Sequence, residues 1–274
     1  MTIPVSEVVR LCKLRLEPVA GEEALQQAKE IVAAVIGAEP SALAVHSWVQ
    51  VTEEQMSMIG DLVEQRLSGQ PLQYILGEWE FYGLPFYVDE RALIPRQDTE
   101  LLVETAISMI QQRGYQSCLD LCTGSGCIAV SISKHAQTSV TASDISVDAL
   151  ELAQENAALN EVRVTFVESD LFDQIEGKFD LICCNPPYLS KEDMEHLQKE
   201  VSFEPALALY GGADGLDFYR RIANEYQAHL NAGGALLLEI GSTQAGTAAA
   251  LFAAKTSVLN DLAGNPRVLV VEPN

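Results

Sequence analysis

The sequence predicts an α/β protein in which a mostly parallel sheet is covered by helices on both faces and preceded by a small helical domain. Three observations support this fold. Apolar residues recur at helical spacing in residues 1–70, an aromatic and β-branched stretch follows, and strand-like and helix-like segments alternate from residue 117 onward. With 274 residues, 48% of them apolar, the chain is long enough for one large domain and a smaller companion.

Residues 1–70 predict a helical bundle. The segments "SEVVRLCKLRL" and "EEALQQAKEIVAAVI" repeat apolar residues every three or four positions. A third helix is expected to begin at Thr52, with Gln55 placed for a capping box, and to stop at Gly69. No charged or aromatic constellation stands out in this domain, so its expected role is packing or holding a partner.

A β-hairpin is predicted next, over residues 74–89. This stretch is rich in aromatic and β-branched residues and is broken by two glycines and a proline. It lies in a linker that we place at 71–95. Pro95 ends the extended segment, and Asp98 or Thr99 is expected to cap the helix that follows.

From here the chain alternates strand and helix, which predicts a single domain over residues 96–274. The expected strands are "SCLDLC", "SVTASD", "RVTFVES", "FDLICCN" and "GALLLEI", with two closing strands in "VLNDLAGNPRVLVVE". The expected helices are "CIAVSISKHA", "SVDALELAQENAALN", "EDMEHLQKEV", "LDFYRRIANEYQAHL" and "TQAGTAAALFAAK".

Composition and charge exclude several classes of function. The net charge is −22, from 17 basic and 39 acidic residues, and no basic stretch offers a groove for a polyanion. We therefore expect a small molecule or a basic protein as partner, and no stable binding of nucleic acid. Apolar runs are far shorter than a membrane span, and the N-terminus contains acidic residues and no small-residue cleavage site. These features predict a cytoplasmic protein without a membrane segment.

The six cysteines fit the same compartment. None forms a C-x-x-C pair, and the four histidines are scattered along the chain. The cysteines are expected to fill strands and turns as small apolar residues, and no metal site is predicted.

A glycine-rich turn follows the first strand of the alternation. Gly124, Gly126 and Ala129 form G-x-G-x-x-A between a strand and a helix, which lets the backbone approach a ligand closely. The next predicted strand ends at Asp144, twenty positions after Gly124, where a carboxylate can accept hydrogen bonds from both hydroxyls of a ribose. The spacing predicts a cofactor that contains a nucleoside.

Asp170 is predicted to end the third strand, and Leu171 and Phe172 follow it in a position suited to an adenine ring. The turn and Asp144 do not by themselves distinguish a nicotinamide dinucleotide from S-adenosylmethionine. That distinction depends on a second motif.

The second motif is N-P-P-Y, which follows the apolar strand in "FDLICCNPPYLS". The strand is expected beside the glycine-rich strand, at the sheet edge where such folds bind ligands. Pro186 and Pro187 have no amide hydrogen, so the loop offers two acceptors, the Asn185 side-chain oxygen and the Pro186 carbonyl. Two convergent acceptors suit a planar NH2 group, and Tyr188 adds a flat face for it.

This arrangement suggests methyl transfer to a planar nitrogen. An amide nitrogen is a poor nucleophile because its lone pair is delocalised. Acceptors for both of its hydrogens would orient it and favour the positive charge that develops as it attacks a sulfonium methyl group. No strong base is needed beforehand, which fits the absence of a catalytic-looking His, Cys or Ser arrangement.

N-P-P-Y after the fourth strand resembles the class I methyltransferases that use S-adenosylmethionine and act on planar nitrogen, with their Rossmann-like sheet. Two further blocks, residues 70–104 ("QPLQYILGEWEFYGLPFYVDERALIPRQDTELLVE") and 204–222 ("EPALALYGGADGLDFYRRI"), closely resemble the peptide chain release factor glutamine methyltransferases. The match extends over nearly the whole chain after residue 70. It implies methylation of the side-chain amide of the glutamine in the Gly-Gly-Gln loop of class I release factors, with S-adenosyl-L-homocysteine as product.

The resemblance also implies roles for individual residues. Asn185, Pro186 and Tyr188 would be catalytic, and with Pro187 they would hold the glutamine amide. Phe81, Arg96 and Glu100 would lie near the glutamine pocket or the domain junction. Cys122 stands where the family commonly has glycine, and Leu171 where some members have an aromatic. The cofactor would be held by Cys122, Thr123, Gly124, Ser125, Gly126, Asp144, Asp170, Leu171 and Asn185.

Several alternatives remain open. A glutamine methyltransferase of a ribosomal protein would share N-P-P-Y, although "PRQDTE" looks more like the release factor enzyme. An adenine-specific nucleic acid methyltransferase is disfavoured by the net charge. A non-catalytic sensor of S-adenosylmethionine would not need the acceptors at Asn185, and a dehydrogenase would need a hydride-transfer acid or base that is not evident. A monomer is expected.

Overall fold

The computed structural model describes residues 2–45 and 47–273, which fall into two compact units. The first comprises residues up to Gly77 together with Gln198–Phe203, and the second comprises Glu78–Leu197 and the residues from Glu204 onward. The division that the sequence predicts, with a separate linker at 71–95, stays a prediction.

The first unit is helical. Helix α3 (Glu53–Leu67) begins with the predicted capping box, in which Gln55 N donates to Thr52 Oγ1 (3.2 Å) and Thr52 N donates to Gln55 Oε1 (3.0 Å). Its core is aliphatic and includes Leu16, Ile31 and Ile59. The elements are β1 (Ile3–Pro4), α1 (Val5–Ala20), α2 (Ala24–Ile36), β2 (Gln50–Val51), α3 (Glu53–Leu67) and α4 (Leu72–Leu76).

One buried charge stands out in this unit. The Arg66 side chain is 2% exposed, donates to Gln27 Oε1 (2.9 Å) and forms an ion pair with Glu200. A buried guanidinium needs such partners, because leaving it unpaired would cost several kcal/mol. The pair explains why Gln198–Phe203 belongs with the helices although it is distant in sequence.

The second unit contains a seven-stranded sheet, which confirms the predicted α/β fold. The strands of this sheet are β5 (Ser117–Leu121), β6 (Ser139–Asp144), β7 (Val164–Glu168), β8 (Phe179–Cys184), β9 (Leu230–Glu239), β10 (Lys255–Asn260) and β11 (Pro266–Glu272). They lie in the order β10-β11-β9-β8-β5-β6-β7, in which β9, β8, β5, β6 and β7 are parallel, and β11 and β10 close the sheet antiparallel. The helices are α5 (Glu100–Arg113), α6 (Cys127–His135), α7 (Val147–Leu159), α8 (Lys191–Glu195), α9 (Asp217–Glu225) and α10 (Ala245–Ala249).

The order of strands positions the site. As predicted, β8 lies beside β5, with Leu121 opposite Cys184. The chain runs from β5 outward to β7 and then returns to place β8 on the other side of β5. Ligands of open α/β sheets bind at the carboxyl ends of the strands at this reversal. The central strands are apolar on both faces, and Leu119, Leu121, Ile182 and Leu236 are inaccessible to solvent.

The hairpin begins later than predicted. Its strands are β3 (Glu78–Phe81) and β4 (Leu84–Tyr87), whereas Tyr74 lies in helix α4. Pro71 precedes this helix in an extended conformation, and Gly77 ends it in the left-handed conformation. Pro71 and Gly77 therefore bound a short helix here, and their effect outweighs the β propensity of Tyr74 and Ile75.

Three predicted helices are shorter than expected. Helix α8 ends at Glu195, and α9 ends at Glu225 in a 3₁₀ turn over Tyr226–His229. Helix α10 covers only five residues: Gln244 Oε1 accepts from Gly241 N (3.1 Å) in the turn before it, and Lys255 lies in edge strand β10. Pairing with β11 determines the conformation of Lys255, because a strand partner is available to it.

No helix in the described parts of the chain has the length and hydropathy required to cross a lipid bilayer.

Candidate active site

An open cleft lies at the carboxyl ends of β5, β6 and β8 in the second unit. In open α/β sheets this is the edge at which ligands bind. Its main lining segments are Arg91–Arg96 with Thr99, Cys122–Ser125, Asp144–Ser146, Ser169–Leu171, Asn185 with Pro187, and Pro205, Leu207, Ala208 and Phe218.

The glycine-rich turn forms one wall of the cleft. Gly126 has φ +80°, and a Cβ added there would lie 2.9 Å from the Cβ of Ala153, so a side chain would push α6 away from α7. Gly126 also directly precedes Cys127, the first residue of α6. The turn therefore leads directly into the N-terminus of α6, although Gly126 itself does not line the cleft.

Asp144 connects this turn to the end of β6. Its Oδ2 accepts from Gly124 N (2.9 Å) and its Oδ1 accepts from Ser146 N (3.0 Å). Burial raises the pKa of Asp144, and these backbone donors oppose the rise. Each carboxylate oxygen has a second lone pair, so Asp144 retains capacity for the hydroxyls of a ligand.

Asp120 is a buried acid in the strand behind this wall, and it was not predicted from the sequence. Thr123 Oγ1 donates to its Oδ2 (2.6 Å), and its Oδ1 has no partner among the described residues. Burial raises the pKa of Asp120 to about 7. The signal was present in the sequence, since Asp120 interrupts an otherwise apolar strand in "SCLDLC".

Two non-glycine residues of the cleft have left-handed backbone conformations. Cys122 has φ +55° and Leu171 has φ +52°. In a residue other than glycine, this left-handed conformation costs about 1 kcal/mol relative to glycine. The positive φ at Cys122 gives a physical reason why the family that this sequence resembles commonly has glycine at this position.

The third strand ends earlier than predicted. β7 stops at Glu168, and Asp170 lies in the following turn, where it pairs with Arg221 (2.8 Å). Leu171 lines the cleft, whereas Phe172 is buried in the core and stacks on His229 with ring centroids 4.8 Å apart. Leu171 is thus the apolar side chain of this pair that faces the cleft.

The N-P-P-Y segment begins where β8 ends and presents unpaired acceptors. Among the described residues, neither Asn185 Oδ1 nor the Pro186 carbonyl accepts a hydrogen bond, whereas Asn185 Nδ2 donates to Thr99 Oγ1 (3.4 Å). Asn185 and Pro187 line the cleft; Pro186 and Tyr188 do not. Burial, reinforced by the Glu239 carboxylate, raises the pKa of Tyr188 to about 12, so its hydroxyl stays protonated.

The backbone of this segment is held from behind. Gln244 Nε2 donates to the Tyr188 carbonyl (3.0 Å), and Leu189 bridges to Tyr210. Gly211 packs directly on the loop: an added Cβ would lie 2.6 Å from the Pro187 carbonyl oxygen and 2.7 Å from the Tyr188 Cα. The rigidity of the loop therefore depends on packing against the segment around Gly211, which lies more than twenty residues downstream.

Thr99 does not cap helix α5 as predicted. It occupies the N-cap position, but its hydroxyl oxygen accepts no hydrogen bond from a helix N–H, because its own φ of −68° and ψ of −19° are helical rather than extended. Its hydroxyl donates to Glu239 Oε2 (2.6 Å), and Asp98 pairs with Arg267 (2.8 Å). Glu239 was not identified from the sequence, where it appears only as the acid in an apolar strand.

Arg96, Phe81 and Glu100 separate in the structure. Arg96 lines the cleft and pairs with the buried Glu204, which also accepts from Ile94 N (3.0 Å). Phe81 packs edge-on against Phe86 in the core, and Glu100 accepts from Tyr82 N (2.9 Å); neither lines the cleft. Their roles stay predictions.

No group of three or more His, Cys, Asp or Glu side chains converges as metal ligands in the parts of the chain that the structure describes.

Comparisons with known proteins identify the family and the fold. Residues 97–206 match the family model "Methyltransferase small domain" and residues 7–77 match "PrmC N-terminal domain". A methyltransferase from Pyrococcus furiosus has a TM-score of 0.52 at 20% identity, covering 70% of this chain and 89% of that one. The ribosomal protein L11 methylase from Lactobacillus delbrueckii has a TM-score of 0.50 at 21% identity, covering 68% and 84%. At these identities the likeness concerns the fold.

Relatives found by sequence identify the family, whereas the solved structures show only the fold. A release factor glutamine methyltransferase of Geobacter sulfurreducens is 42% identical over 84% of this chain and 82% of its own length. One of Thermodesulfovibrio yellowstonii is 39% identical over 90% and 92%. The chain belongs to the release factor glutamine methyltransferase family.

Proposed function

We propose that this protein transfers a methyl group from S-adenosyl-L-methionine to the side-chain amide nitrogen of the glutamine in the Gly-Gly-Gln motif of class I peptide chain release factors. The observation that carries the proposal is the pair of unpaired acceptors, Asn185 Oδ1 and the Pro186 carbonyl, beside a cleft with a glycine-rich turn. Membership in the family supports the substrate.

The cleft residues fit the cofactor. Asp144 is placed for ribose hydroxyls, and Leu171 gives an apolar surface for an adenine. The backbone of Cys122, Thr123, Gly124, Ser125 and Gly126 leaves room for close approach, since three of these five residues have positive φ. When bound, the cofactor supplies a sulfonium methyl group.

The protein's part in the reaction is orientation and electrostatics. Asn185 Oδ1 and the Pro186 carbonyl accept the two amide hydrogens of the glutamine, which fixes its plane and turns the nitrogen toward the methyl group. Both acceptors gain strength as positive charge develops on that nitrogen, so they stabilise the transition state more than the ground state. Pro186 and Pro187 keep the acceptors in place because they restrict backbone rotation.

No base is required before transfer. The methylated nitrogen becomes acidic only after it has reacted and can then lose its proton to water. Tyr188, with its raised pKa, stays neutral and contributes a face for the planar group. We further propose that Asp170 and Arg96 border the site, that the protein works as a monomer in the cytoplasm, and that it forms no stable complex with nucleic acid.

Mass spectrometry tests the proposal. A purified class I release factor is incubated with the protein and S-adenosylmethionine, and any methyl group is mapped to a peptide. We expect one added methyl on the Gly-Gly-Gln glutamine. A release factor with asparagine in place of that glutamine is the matched control and should stay unmodified. An unmodified Gly-Gly-Gln peptide, despite measurable cofactor binding, would contradict the proposed substrate.

A further inference from the structure

A chain of hydrogen bonds runs behind the proposed transfer site. Thr99 Oγ1 donates to Glu239 Oε2 at 2.6 Å, and Asn185 Nδ2 donates to Thr99 Oγ1 at 3.4 Å. Thr99 and Glu239 are 2% and 1% exposed, so water does not compete for these bonds. The three residues come from the start of α5, the end of β9 and the end of β8.

These hydrogen bonds have a fixed direction because the Thr99 hydroxyl has a single proton. Once Thr99 donates that proton to the Glu239 carboxylate, the Thr99 oxygen can only accept. Asn185 must then turn its NH2 toward Thr99, since the opposite orientation would face two acceptor oxygens. Its Oδ1 is left pointing away from Thr99, free of partners among the described residues.

We propose that Glu239 and Thr99 are positioning residues that fix the side-chain amide of Asn185 with its oxygen outward, ready to accept the amide hydrogen of the substrate. The inference rests on the proposed function and deepens it, because it names what orients the methyl acceptor. Neither residue touches the reacting atoms.

The position of Glu239 is itself restrained. Tyr219 Oη donates to its backbone carbonyl (2.9 Å), and β9 pairs with β11 at this point, where Val268 lies opposite Glu239. The charged and titratable groups facing Glu239 are Arg267, Asp98, Arg96, Tyr188, Tyr219 and Cys127.

Protonation of Glu239 would reverse the direction of the hydrogen bonds between Glu239, Thr99 and Asn185. Burial raises the pKa of Glu239 to about 7, against the Thr99 hydrogen bond and Arg267, which lower it. Below that pH a carboxylic acid can donate to Thr99, which frees the Thr99 proton, and the Asn185 amide would then turn over so that its Oδ1 accepts this proton. The acceptor would then be occupied, so kcat should fall as the pH drops through about 7.

Kinetics of three variants give the first test. Thr99→Val keeps the shape of the side chain but removes the hydroxyl, and it should lower kcat by about 10-fold or more with cofactor Kd within about twofold. Thr99→Ser should restore kcat to within about threefold, because it keeps the hydroxyl. The matched control is Thr105→Val on the same helix, whose hydroxyl donates to the Leu101 carbonyl (2.7 Å) and which should behave as wild type.

The pH profile separates positioning from packing. The acid limb near pH 7 should be present in the wild type and absent in Glu239→Gln, which has no proton to gain. A Thr99→Val variant with wild-type kcat, or an acid limb that persists in Glu239→Gln, would overturn the inference. An inactive wild type would instead contradict the proposed function.

An NMR measurement keeps the two failures distinct. The side-chain ¹⁵N–H2 signals of Asn185, assigned by their loss in Asn185→Ala, should shift with pH near 7 in the wild type. The shift should vanish in Thr99→Val and remain in Thr105→Val. This readout needs no substrate, and Asn185 signals that ignore both pH and Thr99→Val would overturn the positioning role whatever the activity.

Discussion

The two sides of the cleft are built differently. The proposed cofactor side, residues 122–126, 144–146 and 169–171, is held largely by contacts between nearby segments, such as Gly124 N to Asp144 over 20 residues, although Asp170 also pairs with Arg221. The transfer side, residues 185–188 with Thr99, is held by contacts over 86 residues to Thr99 and 56 residues to Gln244. We therefore propose that cofactor binding depends mainly on nearby segments of the chain, whereas orientation of the methyl acceptor depends on segments that are distant in sequence.

A second difference concerns the acceptors. On the cofactor side, Asp144 already accepts two backbone hydrogen bonds, and the ligand adds to a completed arrangement. On the transfer side, Asn185 Oδ1 and the Pro186 carbonyl have no partners among the described residues until a substrate supplies them. Substitutions on the two sides should consequently separate binding from turnover.

The largest effect is expected at Asn185. Asn185→Ala removes an acceptor that is needed in the transition state, so kcat should fall by about 100-fold or more while cofactor Kd changes by less than about threefold. Single-turnover methyl transfer and calorimetric titration of the cofactor measure the two quantities. Asn265→Ala in an exposed turn is the control. Equal losses of binding and turnover in Asn185→Ala would contradict the separation.

Asp144→Ala should show the opposite pattern. Loss of the carboxylate removes the proposed ribose contact and frees the Gly124 amide, so cofactor Kd should rise by about 10- to 100-fold. At saturating cofactor, kcat should recover most of its wild-type value. Asp148→Ala, an exposed acid in the first turn of α7, should leave Kd unchanged. An unaltered Kd in Asp144→Ala would rule out its ribose role.

Gly211→Ala should disturb the transfer side alone. The added Cβ would overlap the Pro187 carbonyl at 2.6 Å and displace the loop, so kcat should fall by about 10-fold and stability by roughly 1–3 kcal/mol. Cofactor Kd should hold. The matched control is Gly246→Ala, where nothing lies within 4 Å and the helical backbone should tolerate or favour alanine. A Gly211→Ala variant with the kcat and stability of the wild type would show that the loop does not need close packing against Gly211.

Asp120→Asn tests the electrostatics of the cofactor side. The pKa of Asp120 is raised to about 7, so the folded state binds the proton more tightly than the unfolded state. The stability this provides is full below pH about 4 and is lost as the pH rises through about 7. Asn needs no proton, and the variant should gain roughly 1–3 kcal/mol relative to wild type at pH 8 compared with pH 5.

Urea unfolding at the two pH values measures this difference. Glu239, whose pKa is also raised to about 7, contributes in the same direction to both proteins and cancels in the comparison. Exposed Asp148→Asn should show no such pH dependence. A stability difference between Asp120→Asn and wild type that is equal at both pH values would mean that Asp120 titrates normally.

The smallest effect is expected at Cys122. Its left-handed backbone should favour glycine, so Cys122→Gly should stabilise the fold by about 0.5–1 kcal/mol. Cys127→Gly is the same exchange in a right-handed helical backbone and should destabilise by about 1 kcal/mol. Thermal unfolding compares the two, and a destabilised Cys122→Gly would show that the thiol's packing outweighs the backbone strain.

The same contrast explains what the sequence could predict. The glycine-rich turn, Asp144 and the β5–β8 adjacency were predictable because strand alternation and short spacings determine them. The hydroxyl of Thr99 was assigned to a helix cap, because its partner Glu239 is 140 residues away and only the sheet brings them together. Glu204, the partner of Arg96, was missed for the same reason.

Limits on local prediction also appear in the short helices. The segment "TQAGTAAALFAAK" is rich in strong helix formers, yet α10 ends at Ala249 and Lys255 pairs in β10, so strand pairing outweighs helix propensity there. Phe81 and Glu100 belong to a block that resembles the family closely, but that resemblance carries no information on which side chains face the cleft.

The central claim is tested most directly by a crystal structure of the protein with S-adenosyl-L-homocysteine and a release factor peptide containing Gly-Gly-Gln. The account predicts the glutamine amide nitrogen about 3 Å from both Asn185 Oδ1 and the Pro186 carbonyl, with a ribose hydroxyl on Asp144. A glutamine amide bound by other groups, or an Asn185 side chain turned with its NH2 toward the substrate, would contradict it.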